Sequence, residues 1–162
     1  MDTRKIALVS LISALYAVSV ILLASVSFLL FQVRVADALI PLSIVFGMPV
    51  VLGVTLGNII ANSISGLGYI DIIGGSIANF LAAYIGWKIS SRKFTGSRFI
   101  AIVAQNLIVS SIVGSYLALL FDIPLEVGFF DVFIGSTMSM NIIGYFLVLG
   151  IEKSGIQKRF SI

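Results

Sequence analysis

Residues 38–64 read ALIPLSIVFGMPVVLGVTLGNIIANSI, a run without a single charge. A spanning helix needs about 20 mostly apolar residues to cross ~30 Å of hydrocarbon. This run is longer than that, yet Gly47-Met48-Pro49 interrupts it. Glycine and proline together can end one helix and start the next. Whether the run is one crossing or two decides the topology.

Four further apolar runs flank it: Ile6 to about Ser25, Ile72 to Trp87, Phe99 to Phe121 and Val127 to Gly150. Counting runs gives five spans. The positive charges argue for six. Lys and Arg concentrate in cytoplasmic loops, and here they cluster at Arg4 and Lys5, at Lys88, Arg92, Lys93 and Arg98, and at Lys153, Lys158 and Arg159. Five spans put the last two clusters outside. Six put all three inside, with the extra crossing made by a break at Gly47-Met48-Pro49. Only Arg34 of the ten basic residues then lies outside. Tyr84 and Trp87 fall at the inner interface, where an aromatic belt is expected. The expectation is an all-α membrane protein: one transmembrane domain over residues 1–162, six helices and both termini cytoplasmic. Met1-Asp2-Thr3-Arg4-Lys5 before an apolar run superficially resembles a signal peptide, but the run is long and more spans follow, so it reads as the first helix.

Composition agrees. The chain is 59% hydrophobic and 10% charged, against roughly 25% charged in a soluble domain. It has no Cys and no His, which removes thiolate metal sites, Cys nucleophiles and His acid–base chemistry. Neither a metal-ligand cluster nor a nucleotide-binding glycine loop is present, so no cofactor, no metal and no enzyme activity is expected. The net charge of +3 is placed by topology, and no nucleic-acid partner is implied.

The two helices made from the interrupted run must be short. Residues 36–65 reach about 45 Å as continuous helix, whereas two crossings need about 60 Å. Irregular backbone at membrane depth survives only where protein buries it or where it lines a cavity. A cavity beside Gln32 to Asp37, open to the outside, is therefore expected.

Packing faces are marked by small residues. The fourth expected helix carries Gly74, Ala78, Ala82 and Gly86, the third Gly53 and Gly57, and the first Ser13 and Ala17 beside Ser10 and Ala14. Small residues at this spacing let backbones approach closely, within the chain or, for the first helix, on a partner's helix.

Polar residues inside spans need partners. Asn58 and Asn62 lie one turn apart, Asn79 two turns after Asp71, and Asp131 just over a turn beyond Glu126. Plain structural readings exist. Asp71 follows Gly66-Leu67-Gly68 and can cap a helix. Asn58 with Asn62, and Gln105 with Asn106, can be interhelical glue. Arg34 and Asp37 can form a local ion pair. Under one topology, however, Arg34, Asp37, Asn62, Asp71, Glu126 and Asp131 collect in the outer half, as a hydrogen-bonding pocket would.

The segment Phe31-Gln32-Val33-Arg34-Val35-Ala36-Asp37-Ala38-Leu39 resembles the aromatic-x-x-Arg-x-(Ser/Ala)-acid-Ala-Leu segment of the queuosine-precursor transporter (QueT) family. Gly53-x-x-x-Gly57-Asn58-x-x-Ala61-Asn62 and Asp71-x-x-x-Gly75-Ser76 continue the likeness in order, and Ser13-Ala14-Leu15-Tyr16-Ala17 resembles the family's first helix. Ser13 stands where Ala is usual, and Asp37 where Glu is more frequent. The resemblance implies the bundle of a substrate-binding (S) component of an energy-coupling factor (ECF) transporter in the plasma membrane. Its partners would be a 7-deazaguanine ligand, a transmembrane coupling protein and two ATPase subunits. Substrate contacts are expected among Gln32, Arg34, Asp37, Asn58, Asn62, Asp71, Glu126 and Asp131, and docking at Ser13, Ala17, Ser10 and Ala14. An S component or small carrier for another vitamin-like solute, or a non-transport membrane assembly protein, are the alternatives.

Overall fold

Gly47, at φ 66°, breaks the uncharged run as glycine readily can. The computed structural model describes residues 2–23 and 34–159. It is helical throughout, with no strand among the described residues. Helix α1 is Thr3–Leu22, α2 Val35–Phe46, α3 Met48–Asn62, α4 Tyr69–Ser90, α5 Ser97–Phe121 and α6 Leu125–Ser154, followed by a short 3-10 turn, Ile156–Arg159.

Four of these, α1, α4, α5 and α6, are long and apolar enough to cross a membrane. The other two, α2 and α3, are shorter apolar helices. The irregular backbone expected here is present: Val35–Leu42 is 3-10 helix with Pro41 inside it, and only Ser43–Phe46 is α-helical. At 2.0 Å per residue the 3-10 part stretches the segment, so α2 and α3 each reach roughly 22 Å.

Helix ends follow local chemistry. Gly68 (φ 84°) precedes α4 and Gly96 (φ 81°) precedes α5. Asp122 closes α5 in the left-handed conformation, and Pro124 then forces the chain into α6. Helix α6 widens into π-helix over Thr137–Gly144.

Packing closes a ring: α1 on α3, α3 on α4, α4 on α5, α5 on α6, α6 on α2 and α2 back on α1. Glycines make the closest seams. A Cβ at Gly53 would lie 2.8 Å from Ile12 Cβ, and one at Gly57 2.7 Å from Tyr16 Cβ. A Cβ at Gly114 would meet the Gly128 carbonyl at 2.7 Å, and one at Gly144 would meet Pro41 Cγ at 2.7 Å. The stripe on α4 is used in the same way, with Ala78 and Ala82 buried, Gly74 against the Tyr116 ring and Gly86 against Gln105.

The outer surface is apolar: Leu22 is 77% exposed, Phe146 67% and Leu119 83%. Meanwhile Arg34, Asp37, Asn58, Asn62, Asp71, Gln105 and Asn106 are buried. Water would not tolerate that arrangement, but hydrocarbon selects it, because every buried polar group must find a partner inside. The protein is a membrane protein.

Candidate functional site

The irregular start of α2 places Arg34 and Asp37 inside the ring. Asn58 and Asn62, one turn apart on α3, share a face and both turn their side-chain oxygens to Arg34. Its Nη2 donates to Asn58 Oδ1 at 3.0 Å and to Asn62 Oδ1 at 2.8 Å. The amide nitrogens then continue the chain of bonds: Asn62 Nδ2 donates to the Asp71 carbonyl at 2.9 Å, and Asn58 Nδ2 to Ser76 Oγ at 3.3 Å. Gly75 makes room, since a Cβ there would sit 2.8 Å from both amide nitrogens.

Asp37 turns to α1, where the Tyr16 hydroxyl donates to its Oδ1 at 2.5 Å. The Arg34 guanidinium lies 6.0 Å from the centre of the Tyr16 ring, within cation–π range. Asp71, the third residue of α4, does not spend its carboxylate on a cap. Tyr116 from α5 donates to Oδ1 at 2.8 Å, and Ser65 from the α3–α4 turn donates to Oδ2 at 2.8 Å. Five helices thus contribute to one network with one cationic and two acidic side chains. Arg34, Asp37 and Asn79 also line a small cavity with Val109, Val113, Val132 and Ser136. Its volume is about 10 Å³, room for about one water.

Of the expected site residues, Arg34, Asp37, Asn58, Asn62 and Asp71 come together. Gln32 lies outside the described residues. Glu126 is exposed at the start of α6, and Asp131 is half-buried; neither is among the described residues lining the cavity. The expected opening beside Gln32 lies outside the described residues; among the described residues the cavity at Arg34 and Asp37 is small. On α1, Ser13 and Ala17 are buried against α3, whereas Ser10 and Ala14 are exposed. Gln105 and Asn106 belong elsewhere, as glue: Gln105 Nε2 donates to Ser43 Oγ at 3.0 Å, and Asn106 Nδ2 to Thr137 Oγ1 at 2.9 Å and Asn141 Oδ1 at 3.2 Å.

Sequence reasoning missed Tyr16, Tyr116, Ser65, Ser76 and Ser136. An aromatic or a serine within an apolar run looks like packing, and no charge flags it. The signal available for Tyr16 was its place in the quoted first-helix segment, and for Tyr116 the absence of any other hydroxyl donor large enough to reach Asp71 from α5.

An apolar exterior around a buried, amphoteric hydrogen-bonding centre is that of a helical membrane protein. Comparison at the family level gives the particular group. The model of the QueT transporter family matches residues 6–153, and the chain belongs to that family. Neither curated proteins nor solved structures yield a match.

Proposed function

We propose that this chain is the substrate-binding S component of an ECF-type transporter, importing a queuosine-type 7-deazaguanine precursor across the plasma membrane. The observation that carries the reading is the network of Arg34, Asp37, Asn58, Asn62 and Asp71. A guanine-like edge offers adjacent N–H donors, and a carboxylate accepts such a pair in charge-assisted bonds. Asp71 is the acceptor we assign to it. The exocyclic carbonyl needs a donor, which Arg34 supplies. An aminomethyl ammonium needs a second acid, and Asp37 lines the small cavity together with Arg34.

A cavity of about 10 Å³ does not admit a bicyclic base. Binding therefore exchanges bonds inside the network for bonds to the solute. In the proposed topology α2 and α3 are full if short crossings, giving six spans with both termini cytoplasmic. No nucleotide-binding motif is present in the sequence, so transport takes its energy from a partner: a transmembrane coupling protein carrying two ATPases. The exposed small residues Ser10 and Ala14 on α1 suit close docking of that partner.

The test is calorimetric titration of the purified protein with aminomethyl- and cyano-7-deazaguanine, queuine and a set of water-soluble vitamins. One deazaguanine should bind with submicromolar affinity and the vitamins should not. Tight binding of a vitamin alone would make the chain an S component for another solute. Binding of none, together with failure to co-purify with an ATPase pair, would leave an assembly role.

A further inference from the structure

The basic end of the bundle holds a second feature that solute recognition does not use. Helix α4 ends at Ser90 and α5 begins at Ser97; the turn between them, with the ends of α2 and α6, encloses a cleft of about 700 Å³. Ser97 lines it and is only 6% exposed, yet its hydroxyl has no hydrogen-bond partner among the described residues. Its oxygen is open to the cleft, so a molecule held there completes its bonding.

The surroundings say what that is. Ser97 opens a helix of 25 residues, whose N-terminus carries a partial positive charge. The amides of Arg98 and Phe99 precede any intrahelical acceptor, because the first closing bond is Ile100 N–H to the Gly96 carbonyl at 3.0 Å. Lys93 lines the cleft as well. The acid present, Glu152, is offset by its ion pair with Arg98 at 3.0 Å. Amide donors, a free hydroxyl and a lysine make an anion cradle. The remaining walls include Ile44, Trp87 and Phe99, and Lys88 Nζ sits 4.6 Å from the centre of the Trp87 ring. Aromatic rings and lysines at the ends of apolar helices mark a membrane interface.

We propose that this cleft binds the phosphate of an anionic phospholipid headgroup, with the Ser97 hydroxyl, the first-turn amides of α5 and Lys93 as its donors. The apolar walls receive the glycerol and the first methylenes, which a free anion lacks. Basic pockets between transmembrane helices select anionic lipids on this principle. The inference needs only that the chain is embedded in a membrane, and it stands apart from the identity of the solute.

The experiment is native mass spectrometry of the full chain exchanged into mixed phosphatidylglycerol and phosphatidylcholine of identical tails. Phosphatidylglycerol should be retained at least tenfold over phosphatidylcholine, and millimolar inorganic phosphate should not displace it. Ser97→Asp adds an acid in the first turn, where the helix dipole favours one, so the fold persists while the phosphate is repelled. That variant and Lys93→Gln should each cut the preference about tenfold, and Lys5→Gln, a basic residue on α1, should not. Retention unchanged in Ser97→Asp, an equal loss in Lys5→Gln, or displacement by inorganic phosphate would each overturn the lipid site.

Discussion

Tyr116 donates its hydroxyl to Asp71 Oδ1 at 2.8 Å, tying the last turns of α5 to the acid in the first turn of α4. With Ser65 on Oδ2, both oxygens of Asp71 are held by hydroxyls of the same chain. A solute that uses Asp71 takes over bonds already made. A hydrogen bond to an ionised carboxylate is worth about 1.5–3 kcal/mol net, and the solute's N–H groups return bonds of the same charge-assisted kind, so the occupied acid is poised for exchange and is not blocked.

Asp71→Asn is the first prediction. The amide replaces one acceptor with a donor, and hydroxyls accept as well as donate, so Ser65 and Tyr116 keep partners and the fold holds. The solute's paired N–H groups lose one acceptor. Binding should weaken more than tenfold, over ~1.4 kcal/mol, by calorimetric titration. Tyr116→Phe removes a competitor for Asp71 and should leave affinity within about threefold. Equal losses in both variants with lowered melting would make Asp71 a structural tie.

Glycine substitutions separate the site from the scaffold. At Gly75 a Cβ meets the Asn58 and Asn62 amide nitrogens at 2.8 Å, and both must move away from Ser76 and the Asp71 carbonyl. Helix propensity gains up to about 1 kcal/mol in exchange. Gly75→Ala should therefore melt near the parent and bind solute at least tenfold more weakly. At Gly57 a Cβ meets the Ser13 carbonyl at 2.8 Å, which is backbone and cannot turn aside. Gly57→Ala should lose about 1–3 kcal/mol by overpacking, seen as a lowered melting temperature.

Helical character, the break at Gly47 beside Pro49, and the polar residues Arg34, Asp37, Asn58, Asn62 and Asp71 that meet inside the ring were legible because charged and amide side chains are rare in these apolar runs and each occurrence is informative. Direction around a helix was not. Ser10/Ala14 and Ser13/Ala17 have the same spacing, and the pair that turns inward is set by Gly53 and Gly57 on α3, which the spacing on α1 does not reveal. Glu126 was grouped with Asp71 by depth alone, and depth says nothing about azimuth; it faces outward. Tyr16 and Tyr116 are invisible to a charge count, yet they complete the coordination of both acids.

Topology has a clean assay, since the sequence has no cysteine. Single cysteines at Ser63, exposed after α3, and at Thr95, exposed before α5, lie at opposite ends of α4. Membrane-impermeant maleimide on intact cells should label Ser63→Cys and reach Thr95→Cys only after permeabilisation. Labelling of both without permeabilisation would reject the arrangement with both termini inside.

The last prediction concerns the coupling partner. The face of α1 bearing Ser13 and Ala17 is occupied by α3, with Ser13's backbone and the Tyr16 side chain seated on Gly57. A bulky side chain at Ser13 therefore separates α1 from α3 and, through Tyr16, disturbs Asp37. Ser13→Leu should lower both melting temperature and solute affinity. The face bearing Ser10 and Ala14 is exposed, so added bulk there touches nothing within the chain. Close helix contact across a membrane interface depends on small residues, and leucine at either position holds a partner helix away. Ser10→Leu with Ala14→Leu should bind solute as the parent does and melt within a degree or two of it. Uptake by proteoliposomes containing the coupling protein and ATPases should fall at least tenfold, in step with loss of co-purification. Full uptake by that double variant would show that the partner docks elsewhere, and loss of solute binding would show that this face also serves the fold.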